Sequence, residues 1–80
     1  MTVTIPRAEL DAVMRQFDAV WPTQGDTTTQ TVREAVIVIR AEVDGISSTK
    51  FEEQFRRTQM TRLAADLDAL ADRYEKETPA

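Results

Sequence analysis

The sequence predicts a small, mainly α protein: a short N-terminal strand followed by three helices, the third long and amphipathic. Three observations carry this reading. Residues Thr2 to Ile5 alternate polar and apolar ahead of Pro6. Apolar residues then recur at three- and four-residue spacing in three separate stretches, the mark of a helix face. Turn-forming residues, Pro22 with Gly25 and later Gly45, fall between those stretches.

In the strand, Val3 and Ile5 share one face and Thr2 and Thr4 the other. Pro6 stops the strand and suits the first turn of a helix. Leu10, Val13, Met14, Phe17, Val20 and Trp21 make one stripe on a first helix of about four turns, which Pro22 should end. Residues 22–29 read as a loop, with Thr27, Thr28 or Thr29 able to cap the second helix. Its buried stripe is Val32, Ala35, Val36, Ile39 and Val43, and Ile37 and Val38 widen it. The run Val36 to Ile39 also fits a buried strand, but helix formers flank it on both sides and favour helix. Gly45 suits a left-handed helix stop. Thr49 and Glu52 form a capping box for a third helix reaching about Glu77, before Pro79.

The third helix carries two apolar sets. Phe51 and Phe55 form one; Met60, Leu63, Leu67, Leu70 and Tyr74 form a heptad-like seam. The five-residue step between the sets means that the helix either breaks near Thr58-Gln59 or meets two surfaces. The seam packs against this chain's own first two helices, or it is a docking or dimer seam. Asp66, Asp68 and Asp72 alternate around it and read as solvating it rather than binding a metal.

Composition narrows the functions. With no Cys and no His, disulfides, zinc sites and Ser/His or Cys/His catalysis are excluded. No cofactor site is legible, and a chain of 80 residues offers little room for a cleft, so an enzyme is not expected. Residues 1–44 carry a net charge of −3 and residues 45–80 of −1, which gives little nonspecific attraction to DNA. No apolar run is long enough to span a membrane and no signal-peptide pattern is present, so the expected compartment is the cytoplasm. So short a chain with so many apolar faces is expected to gain stability from a partner, most simply as a homodimer.

The order strand, Pro6, helix, Thr-rich segment, then Thr31-Val32-Arg33-Glu34-Ala35-Val36 resembles the N-terminal half of the ribbon-helix-helix family. The resemblance implies that two chains pair their strands into an antiparallel ribbon that enters the major groove. It implies an outward, base-reading role for Thr2 and Thr4, an inward role for Val3 and Ile5, a phosphate contact for Arg7, and phosphate-facing hydroxyls at Thr28 and Thr29. The alternative at this end is an extended N-terminus leading into a helical hairpin. The stretch Ala41 to Ser47 followed by Phe51 also resembles the turn of a helix-turn-helix, though an ordinary Gly stop between helices reads better.

The expected organisation is thus a dimerisation module at 1–44 and a C-terminal helical arm at 45–80. That layout is similar to small antitoxins that bind operator DNA as repressors and cover a protein partner with the arm, here through Met60, Leu63, Leu67, Leu70 and Tyr74. The alternative is a helical adaptor or oligomerisation subunit that binds no DNA.

Overall fold

The computed structural model describes residues 2–22, 24–46 and 50–77. In chain order these form β1 (Thr4–Ile5), α1 (Arg7–Arg15), β2 (Thr27–Thr28), α2 (Thr29–Asp44) and α3 (Phe51–Glu77). The mainly α architecture with a short leading strand and a long last helix is the one the sequence predicts. Thr49, the expected cap of α3, lies outside the described residues, as do Ser47 and Pro79.

β1 pairs antiparallel with β2, Thr4 opposite Thr28 and Ile5 opposite Thr27. The sequence predicts a loop at Thr27–Thr28, where the structure has β2. Two threonines are too short a run to signal a strand, yet their branched side chains suit one. Gly25, at φ +81, makes the preceding turn in a conformation that a residue with a Cβ rarely adopts. Asp26 then accepts a 3.0 Å hydrogen bond from the Arg7 N–H, so the loop supplies the cap that Pro6 lacks. The second edge of β1 carries no strand among the described residues.

α1 is shorter than its apolar stripe suggests. The Asp18 N–H bonds the Arg15 carbonyl at 3.2 Å and the Ala19 N–H bonds the Met14 carbonyl at 3.1 Å, with Asp18 left-handed at φ 52. That pair of bonds is the Schellman stop, with aspartate where glycine is usual. The chain reverses there, several residues before Pro22. Val20, expected on the stripe, is therefore 81% exposed, whereas Trp21 returns to the core by the reversal rather than by helical periodicity.

α2 is helical throughout, including Val36 to Ile39. Its cap is Thr28, whose hydroxyl accepts from the Thr31 N–H at 3.2 Å. Gly45 ends it with φ −79, a right-handed conformation and not the expected left-handed stop. α3 is continuous through Thr58-Gln59, so the helix does not break. It lies antiparallel to α2: Arg33 near the start of α2 meets Asp72 and Glu75 near the end of α3, and Arg40 reaches back to Asp68. At 1.5 Å per residue the helix accounts for most of the 45 Å long axis.

One core joins all three helices. Ile5, Leu10, Met14 and Trp21 meet Val32 and Val36 of α2, and Ala64, Leu67, Leu70 and Ala71 of α3. The expected division at residue 44 does not divide this core. Of the heptad-like seam, Leu67 is wholly buried, Leu70 nearly so, and Met60, Leu63 and Tyr74 are half-buried. Leu67 and Leu70 thus face the chain's own helices, whereas the sequence leaves open a docking or dimer seam there.

Candidate functional site

The least explained surface is a groove of about 440 Å³ between the returning Trp21 segment and α2. Met14 and Leu67 line its base, Ala35, Val38 and Ile39 form the α2 wall, and Trp21 with Pro22 forms the other. Only Thr31 and Glu34 bring polar groups to it. Val38 is 59% exposed, and its neighbour Ile37 is 67% exposed on the same helix. Apolar side chains left in water in this way cost free energy that a covering surface recovers.

The wall at Trp21 is fixed from behind. The Arg7 guanidinium donates to the Trp21 carbonyl at 3.3 Å and to Asp11 at 2.8 Å. The ring is buried, and its Nε1–H has no acceptor among the described residues. A buried N–H without a partner is uncommon and leaves the ring held by packing and by its main chain.

A second cluster ties the ends of the elements together. Arg33 bonds Asp68 at 3.2 Å, Asp72 at 3.0 Å and, at the shortest separation, Glu75. Thr29, wholly buried, donates its hydroxyl to Glu75 at 3.0 Å and accepts from the Val3 N–H at 3.0 Å. The hydrogen bond from Arg33, aided by Thr29, holds the Glu75 carboxyl below its ordinary value. The same bonds to Glu75 and Asp72 raise Arg33 further above an already high value. The charges satisfy one another, and no group of acids among the described residues could hold a metal ion. This is a clamp between β1, α2 and α3. Asp68 and Asp72, expected only to solvate the seam, are its members; their spacing with Glu75 of four and three residues puts three acids on one helix stripe, a signal present in the sequence.

The pairing of β1 with β2 brings the residues expected to meet DNA to one end of the molecule, Thr4 opposite Thr28, but most of them are engaged within the chain. Thr2 and Thr4 are exposed, with the Thr2 hydroxyl on Gln30. Arg7 is engaged with Asp11 and Trp21. Thr28 caps α2. Thr29 is the clear correction: it has no exposed surface, and its N–H and hydroxyl are bonded to Val3 and Glu75. A phosphate at this helix start would meet Glu75 instead of a free donor.

No helix among the described residues is long and apolar enough to cross a membrane. No protein-family model, curated protein or solved structure matches the chain.

Proposed function

We infer that the protein is a non-enzymatic interaction module that receives an apolar segment of a partner protein in the groove beside Trp21. The observation that carries this reading is the groove itself: nearly all of its lining is apolar, and half-open side chains of α2 form one wall. A groove between helices suits an amphipathic helix laid along it with residues at three- and four-residue spacing. Glu34 at the groove and the net charge of −4 favour a partner helix with basic flanks. This corresponds to the adaptor alternative of the sequence reading, with the partner surface moved from the heptad seam to the groove.

Trp21 is the only tryptophan, so its fluorescence reports on the groove directly. The apolar dye anilinonaphthalene sulfonate, added to the folded chain, should quench Trp21 by energy transfer. Val38→Asp should remove that quenching while circular dichroism stays unchanged. Equal transfer in Val38→Asp would move the apolar site elsewhere.

A dimeric DNA-binding repressor of antitoxin type is the second reading. One observation favours it: along residues 2–5 the exposed Thr2 and Thr4 alternate with half-buried Val3 and wholly buried Ile5, and among the described residues no strand pairs the outer edge of β1. Two chains joined at that edge would present the threonines together to a major groove. A gel-shift at low salt with the DNA upstream of the chain's own coding sequence tests it. A shift lost in Thr2→Ala, Thr4→Ala supports the repressor, and no shift at all retires it.

A further inference from the structure

We propose that a second copy of this chain packs antiparallel along the outer face of α3, about a two-fold axis beside residue 60.

The first turns of α3 are exposed, Phe51 at 81% and Phe55 at 58%. At 100° per residue both lie on the side of α3 turned away from Leu67 and Ala71. The same outer arc continues through Thr58, Arg62, Ala65 and Ala69, with steps of four and three. Exposure confirms the placement: Ala65 and Ala69 are open to solvent, whereas Ala64 and Ala71 are 1% and 0% exposed.

The stripe therefore has two bulky side chains at one end and two small ones at the other. An antiparallel second copy turns that asymmetry into complementarity. With the axis beside residue 60, Phe51 meets Ala69 of the second copy, Phe55 meets Ala65, and Thr58 meets Arg62. A C2 interface requires such reciprocal pairs. Ala69 and Ala65 each stand beside a surface hollow, of about 280 Å³ and about 380 Å³. Roughly 150 Å³ is enough for benzene in a protein interior. Val13 of α1 adds apolar wall to the first hollow and Val43 of α2 to the second.

Charge follows the same symmetry. Residues 50–62 carry a net +2 and residues 63–77 a net −3. Antiparallel pairing sets each positive half against a negative one; parallel pairing sets like against like. Arg56, Arg57, Arg62 and Asp66 have no ion pair within the chain among the described residues, and of these Arg62 lies on the outer arc itself. The interface lies away from the groove beside Trp21 and stands or falls independently of it.

The test is a size swap read by sedimentation equilibrium across micromolar concentrations. The parent chain is expected to reach twice its 9.1 kDa mass. Phe55→Ala leaves two small residues facing and Ala65→Phe sets two rings in one place, so each should weaken the dimer about tenfold or more. The double variant Phe55→Ala, Ala65→Phe restores one ring and one hollow at each contact and should return to within about threefold of the parent. All these positions are exposed, so helix content by circular dichroism should not change; Phe51→Ala with Ala69→Phe is the parallel swap if one variant fails to fold. A monomer at every concentration overturns the proposal. A dimer indifferent to Phe55→Ala overturns it too, and a double variant no better than the singles overturns the register.

Discussion

Both ends of α3 carry large apolar side chains, and these meet opposite fates. From Leu63 onward its large apolar residues close the core; before Thr58 both phenylalanines stand in water. Local sequence does not make the difference, since both stretches are helical and both have apolar residues at helical spacing. What differs is the chain opposite. α2 runs antiparallel beside the C-terminal stretch and ends at Asp44, level with about Thr61, so no helix is left to cover the first turns. A heptad-like seam thus marks burial without saying in which molecule. The step out of register between the two sets marks where the chain's own cover stops.

The sharpest way to break this contrast is Leu67→Asp. It places a charge at a wholly buried position in the apolar core. The loss should exceed the 2–5 kcal/mol of an ordinary large-to-small core change and should unfold the chain. Retained helix with a cooperative melt would show that the seam is not internal. Next in size is Thr29→Val, which keeps the shape but leaves the Val3 N–H without its 3.0 Å acceptor. We expect a loss of about 1 kcal/mol in denaturant melts, since the orphaned group is only partly buried.

A smaller effect is expected from acid. The Glu75 carboxyl is lowered in the folded chain, so its contribution is complete above the usual glutamate value of 4.5 and is lost as pH falls through the lowered one. Thermal melts between neutral pH and pH 3 should decline less steeply in Glu75→Gln than in the parent. Identical slopes would remove Glu75 from the clamp. Least of all should Phe55→Ser matter to the isolated monomer: its melting point should stay within about a degree, in keeping with exposed sites generally. A large drop would place Phe55 in the core.

Much of the fold is legible because it is written in local terms. The α2 stripe from Val32 to Val43, its threonine cap, and the length of α3 follow from periodicity and capping. Where reading fails, the cause is non-local. The stripe through Phe17, Val20 and Trp21 continues the helical period, yet Asp18 tolerates a left-handed stop and the chain turns early. β2 exists because Ile5 and Val3 bring it hydrogen bonds across more than twenty residues, which no window of sequence contains. The groove was illegible for the same reason, since Trp21, Val38 and Leu67 come from three elements. The exposed Val38 and Ile37 were visible as a surplus on α2, although nothing local said that they would stay uncovered.

Native-state hydrogen exchange along α3, in the chain diluted until monomeric, tests the central contrast most directly. Amides from Leu63 to Tyr74 should exchange only through global unfolding, and those from Gln54 to Thr58 far faster, through local fraying. Equal protection along the whole helix in the monomer, or slower exchange at its start, would contradict the account.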